Sequence, residues 1–73
     1  MISISQAVDY AKRFLADAGI GTLWCTLEEA TLTENRWIVR FDYKFLGTHH
    51  RFTVELNATD GSIITYRREI LQE

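Results

Sequence analysis

The segment RWIVRFDYKF, residues 36–45, decides the fold of this chain. Its apolar side chains alternate with charged ones, which is the pattern of a β-strand with one face in a core and one in water. One parity holds Trp37, Val39, Phe41, Tyr43 and Phe45, and the other holds Arg36, Arg40, Asp42 and Lys44. Ile38 is an apolar side chain on the otherwise polar face.

Two strands follow it and one precedes it. After a turn at 46–49, residues 50–56 alternate again, and the Asp60-Gly61 pair closes a turn at 57–61 before a last strand from Ser62 to about Ile70. Residues 22–32 form the first strand, with Leu23 and Cys25 directed inward. A change of parity near Glu28-Glu29 predicts a β-bulge in that strand. Because every connection is short, we expect an antiparallel meander in the order 1-2-3-4.

The first twenty residues predict an amphipathic helix. Ser3 and Gln6 have the spacing of a capping box, Ser5 is a competing cap, and Gly19 suits the left-handed residue that ends a helix. The apolar stripe contains Ile4, Ala7, Val8, Ala11, Phe14, Leu15 and Ala18. The predicted fold class is therefore α+β: an N-terminal helix packed on one face of a four-stranded antiparallel meander sheet. Residues 1–73 form a single domain.

Composition narrows the functional classes. The chain is 47% hydrophobic and 25% charged with a net charge of −2. A disordered protein would be poorer in apolar residues and more strongly charged, and most nucleic-acid binders have a basic excess that this chain lacks. The start of the chain has no signal-peptide pattern and no segment has the roughly 20 apolar residues of a membrane span, so we expect a cytoplasmic protein without membrane association. A single Cys excludes an intrachain disulfide. A core this small is commonly supplemented by oligomerisation, so we expect a homodimer.

No cluster of residues predicts catalysis, a cofactor or a metal ion. His49 and His50 are adjacent on a strand and point to opposite faces, so they chelate one ion poorly. Cys25 has inward parity, which favours a buried apolar role over a nucleophile. Glu28 and Glu29 fit a bulge or solvated edge better than a pair of acid–base carboxylates, because the chain leaves little room for a sugar cleft. We therefore predict no enzyme activity.

Two surfaces are candidates for binding. The first is an apolar protein interface formed by the last strand and by Ile38 on the second strand. Its residues are Ile38, Ile64, Tyr66 and Ile70. The last strand is also a plausible sheet edge, open to pairing with another chain. The second is a positive patch that would bind an anion or a nucleic-acid backbone: Arg36, Arg40, Lys44 and Arg51, with Arg67 and Arg68 nearby. Asp42 and Glu55 share the face of this patch, which is also the pattern of an ordinary solvated sheet.

Three segments together resemble the PepSY domain family. They are the helix opening ISQAV at 4–8, the aromatic strand WIVRF at 37–41, and the strand–turn–strand FTVELNATDGSII at 52–64. The resemblance implies a helix-plus-sheet module that binds or inhibits a partner, often a peptidase, without catalysis of its own. Members of that family are usually exported or membrane-tethered, and this sequence shows neither a signal nor an anchor. The helix opening also resembles that of small bacterial toxin-immunity proteins, whose later motif is not evident.

The leading functional hypothesis is a small non-enzymatic binding module that self-associates or acts as a PepSY-like partner-binding regulator. The alternative is a nucleic-acid or anion binder that uses the basic residues of the open sheet face. An enzyme ranks third, because its site would have to be built across a dimer interface.

Overall fold

The computed structural model of the protein describes residues 1–72. In this range the elements are α1 (Ile4–Asp17), a 3₁₀ turn (Thr22–Trp24), β1 (Cys25–Thr33), β2 (Arg36–Phe45), β3 (Thr48–Asn57) and β4 (Ile63–Gln72). The strands form one antiparallel sheet in the order β1-β2-β3-β4, and α1 packs mainly on β2 and β3. The predicted α+β meander is confirmed. We call the side of the sheet against α1 the helix face and the other side the open face.

Local sequence signals set both ends of α1. The Ser3 hydroxyl accepts a hydrogen bond from the backbone N–H of Gln6 at 3.1 Å, and the Gln6 side chain accepts one from the Ser3 N–H at 2.8 Å. This confirms the capping box over the competing cap at Ser5. At the other end Gly19 has a φ of +87°, and the N–H of Ile20 donates to the Leu15 carbonyl at 2.9 Å. This bond uses a backbone carbonyl that the last turn of the helix would otherwise leave unpaired.

The core lies between α1 and the two central strands. Ala7, Ala11 and Leu15 face the sheet, and two of these three side chains are small enough to let the helix approach the strands closely. Their buried partners on the sheet are Val39, Phe41, Phe52, Val54 and Leu56. Ile4 and Ala18, which the apolar stripe also contained, are exposed because they lie at the two ends of the helix, beyond this contact.

Two-residue turns join the first three strands. Glu34-Asn35 and Leu46-Gly47 both have positive φ at each position, as in type I′ hairpins, whose twist matches that of the flanking strands. The predicted turn at 46–49 was therefore two residues too long, and β3 begins at Thr48. The consequence is that both histidines, His49 and His50, lie within a strand.

The outer strands contain one irregularity each. In β1 the register passes from Leu27 opposite Phe41 to Glu29 opposite Arg40, which confirms the predicted bulge and leaves Glu28 as the extra residue. The strand begins at Cys25, three residues later than predicted, because Thr22–Trp24 forms a 3₁₀ turn and leaves Leu23 exposed. In β4 the register passes from Thr65 to Ile63 on the Glu55–Leu56 side, so Ile64 is a second bulge residue.

The chain's first residues are tied to the turns at one end of the sheet. The Ile2 N–H donates to the Ala58 carbonyl at 2.8 Å, and the Trp37 indole N–H donates to the Ile2 carbonyl at 3.2 Å. The Ala58 N–H in turn donates to the carbonyl of Asn35 at 3.0 Å, which links the β3–β4 turn to the β1–β2 turn. Because α1 starts at this anchored end, it leaves the opposite end of the sheet, which carries the β2–β3 turn, uncovered.

Candidate functional site

The helix is shorter than the sheet that it covers. A helix of 14 residues is about 21 Å long, whereas strands of 10 residues extend about 33 Å. At the end of the sheet that carries the β2–β3 turn, large apolar side chains therefore remain in solvent. Trp24 is 71% exposed, Phe45 54% and Ile70 63%. We call this region the apolar end; exposed apolar side chains that gather at one end of a fold commonly mark a binding site.

The helix is also too narrow to cover the outer strand β4. Four strands spaced about 4.8 Å apart need more cover than a helix about 10 Å wide supplies. Tyr66 and Ile70 lie on the helix face, because they pair with Val54 and His50, yet both remain exposed. The ring of Tyr66 meets α1 only at its margin, at 5.3 Å from the ring of Phe14. The other edge of β4 has no strand beside it in residues 1–72.

The four residues of the predicted protein interface fall on different surfaces. Ile38 is half-buried on the open face, between Thr31 and Glu55 on the flanking strands. Ile64 is the bulge residue of β4. Only Tyr66 and Ile70 share a face and a strand. The sequence of the last strand has apolar residues of both parities, which does not fit a sheet covered on one side. The bulge at Ile64 accounts for this, because one extra residue reverses the parity of the residues that precede it.

The predicted anion patch is neutralised by neighbouring carboxylates. Arg36, Arg40, Lys44 and Arg51 do share the open face, as their parity on β2 and β3 predicted. Arg36 lies 3.8 Å from Glu55, and Arg40 lies 3.1 Å from Glu29. Arg51 lies 3.2 Å from Asp42. Because these guanidinium groups already have counter-charges, their attraction for phosphates is reduced.

A buried polar cluster lies on the same open face. Asp42 and His49 are only 7% and 8% exposed, and the His49 ring Nε2 donates to the Asp42 carboxylate at 2.9 Å. Burial by itself raises the pKa of Asp42, but hydrogen bonds and positive charge from Arg51 and His49 outweigh burial and lower that pKa below its ordinary value. The sequence placed Asp42 on a solvated face and His49 in a turn, so this cluster was not predicted.

The second histidine belongs to the apolar end. His50 lies on the helix face, where its ring stacks on Phe52 at 6.3 Å and meets Tyr43 edge-on at 5.9 Å. Arg68 lies beside it, with Nη2 3.1 Å from His50 Nδ1 and the guanidinium 5.9 Å above the Phe52 ring. The prediction that the two histidines point to opposite faces is confirmed. Arg68, which the sequence grouped with the positive patch, is on the other side of the sheet from that patch.

The remaining candidate groups for catalysis, Cys25 and the pair Glu28-Glu29, lie in positions that suit structural roles. Cys25 is half-buried beside the core, and burial raises the pKa of its thiol, which reduces the nucleophilic thiolate at neutral pH. Glu28 is the bulge residue, while Glu29 pairs with Arg40 and Thr31. Across residues 1–72 no three His, Cys, Asp or Glu side chains converge in a way that would hold a metal ion.

Comparisons with known proteins return nothing for this chain: no family model, no curated protein and no solved structure matches it. In the part of the chain that the structure describes, no helix combines the length and hydropathy required to cross a bilayer.

Proposed function

We propose that this protein is a non-enzymatic binding module that associates with a second copy of itself through β4. The observation that supports this is the uncovered outer strand: in residues 1–72 no strand lies beside the outer edge of β4, and Tyr66 and Ile70 are exposed on the helix face. An open edge with apolar side chains is a template for pairing with another strand. A single core of this size supplies only roughly 3–5 kcal/mol, so burial of this strand would add substantially to stability.

The distribution of charge on β4 favours an antiparallel twin as the occupant. On the open face Arg67 and Glu69 lie on either side of Arg68. When two β4 strands pair antiparallel and are centred on Arg68, Arg67 of one copy lies opposite Glu69 of the other. On the helix face, Tyr66 then lies opposite Ile70. Opposite charges and apolar pairs at such cross-strand positions each stabilise a sheet by roughly 0.2–1 kcal/mol.

The central Arg68 is compatible with this arrangement. In a strand pair centred on Arg68, the two arginines would lie opposite each other as like charges, which costs free energy. The Arg68 side chain, however, leans over β3, where it contacts Phe52 and His50. Its guanidinium is therefore directed away from the open edge. The twofold axis would stand perpendicular to the sheet, so both helices would lie on the same side of an eight-stranded sheet.

Sedimentation equilibrium of Ile70→Glu against the native protein tests this proposal. We expect a concentration-dependent dimer for the native chain and at least a tenfold weaker association for Ile70→Glu, because the substitution buries a charge against Tyr66. Leu23→Glu is the matched control: it also replaces an exposed leucine-sized side chain, but it precedes β1 at the opposite edge. Its association should equal that of the native chain. A native protein that is monomeric at every concentration would overturn the proposal.

A charge exchange tests the register. Glu69→Arg alone should weaken the dimer, because it places Arg67 opposite an arginine. The double variant Arg67→Glu with Glu69→Arg should restore association. If the double variant is as weak as the single one, the strands are not centred on Arg68.

The PepSY resemblance remains a prediction, and it would supply another protein as the occupant of the same strand. The nucleic-acid alternative also remains a prediction, with less support from the paired arginines of the open face. A salt-sensitive complex with DNA that survives Ile70→Glu would favour that alternative.

A further inference from the structure

A cleft opens at the apolar end, where the chain leaves the helix. It has a volume of about 280 Å³ and lies between the loop after α1 and the helix face of β2, β3 and β4. Its lining is mostly apolar and aromatic: Ile20, Gly21, Trp24, Tyr43, His50, Phe52 and Arg68. Small-molecule sites typically have this composition and volumes of roughly 300–1,000 Å³. The cleft is therefore of a size for a compact ligand with about one ring.

Among the residues that the structure describes, Arg68 has no carboxylate partner, and it supplies a positive charge to this cleft. The other arginines of the sheet, Arg36, Arg40, Arg51 and Arg67, each lie within 3.8 Å of a carboxylate. Within residues 1–72 no carboxylate pairs with Arg68. It is held instead by the Phe52 ring and by the nitrogen of His50. A guanidinium fixed on an aromatic ring without a counter-ion is suited to bind a carboxylate from outside the chain.

The hydrogen bond to His50 determines which hydrogen-bonding groups the polar end of the cleft presents to a ligand. A guanidinium only donates, so Nδ1 of His50 accepts this bond. The contacts of His50 with Tyr43 and Phe52 fix the plane of its ring. Arg68 is therefore held by His50 and Phe52, and its remaining N–H groups are available as donors. A ligand group that only accepts hydrogen bonds is complementary to these donors.

We propose that the cleft binds a small organic acid in which a carboxylate is attached to a flat apolar ring. The carboxylate lies on the guanidinium of Arg68, and the ring lies among Trp24, Tyr43 and Phe52. Such a ligand covers the exposed indole of Trp24 and supplies a counter-charge for Arg68. The site does not rest on dimer formation, because one chain provides every residue that lines it.

An NMR titration with benzoate tests the site, with uncharged benzamide as the matched ligand. We expect saturable shifts of the Trp24 indole N–H and of the His50 and Arg68 signals, with a dissociation constant on the order of millimolar for so small a ligand. The Trp37 indole N–H is an internal control, since it is bonded to the Ile2 carbonyl at the other end of the sheet. Equal affinity for benzamide, or no saturable shift with benzoate, would overturn the proposal.

Two arginine variants identify the charge responsible. Arg68→Gln should weaken benzoate binding at least tenfold, whereas the neighbouring Arg67→Gln, on the open face, should leave it unchanged. An equal loss in both variants would mean that benzoate responds only to net charge, and would count against the site. Sedimentation of the same samples separates this outcome from any change in self-association, and circular dichroism shows whether each variant is folded.

Discussion

At the scale of single residues, Gly61 is constrained by two independent features. Its φ of +80° is a conformation that L-residues rarely adopt, and a Cβ there would lie 2.5 Å from the Tyr10 ring. We expect Gly61→Ala to lower the free energy of unfolding by about 2–4 kcal/mol, from backbone strain plus the displaced ring. Gly47→Ala is the control, since Gly47 has nearly the same φ of +81° with nothing near a Cβ. Chemical denaturation that gave equal losses for both would contradict a role for Tyr10.

Asp42 links the open face to pH. Its pKa is lower in the folded protein than in the unfolded chain, so its ionised form favours folding. This contribution is fully present above the unfolded pKa, near 3.8, and is lost as the pH falls from there through the lower folded value. We expect Asp42→Asn to cost about 1–3 kcal/mol at pH 7, because His49 and Arg51 lose a charged acceptor.

Denaturation curves between pH 7 and pH 2 measure this effect. The native protein should lose stability below about pH 4, and Asp42→Asn should lose less over the same interval. Parallel pH profiles for the two proteins would show that the buried carboxylate is not the group responsible.

At the scale of elements, the central strands β2 and β3 supply the side of the core that α1 covers. Phe41 is buried between Leu27 on β1 and Phe52 on β3, on the face that α1 covers. Phe41→Ala should destabilise the protein by about 3–5 kcal/mol through loss of apolar contacts and the cavity left behind. Phe45→Ala removes the same ring from the same face of the same strand, but beyond the helix, and should cost about 1 kcal/mol or less. Thermal or denaturant unfolding compares the two; similar losses would contradict the position assigned to the helix.

Elements with a strong periodic pattern could be predicted from the sequence. The alternation in RWIVRFDYKF specified β2 and its buried face, and the Ser3–Gln6 spacing specified the start of α1. The parity change at Glu28-Glu29 specified the bulge. The end of the β2–β3 turn was misjudged: Leu46 and Gly47 do form the turn, but Thr48 and His49 were also placed in it and belong to β3. A leucine with φ of +49° is uncommon, so a two-residue turn at Leu46-Gly47 was not expected.

At the scale of the whole molecule, the candidate sites depend on relations that local sequence does not contain. Arg68 and Trp24 line the same cleft because α1 ends before the sheet does and the loop after it crosses the uncovered end. The prediction grouped basic residues by type, whereas the fold separates Arg68 from the patch on the other face. Trp24 was assigned to a strand, although a 3₁₀ turn places it beside Tyr43 and His50.

The order of the strands has a consequence for the time course of folding. Each strand pairs with its sequence neighbour, and the two-residue turns bring β1, β2 and β3 together through local contacts that form rapidly. The bond between Ile2 and Ala58 instead joins distant parts of the chain. Closing that long loop is entropically unfavourable until the hairpins already hold Ala58 in place. We therefore expect the N-terminus to become anchored late in folding, with the docking of the helix onto a preformed meander as the slow step.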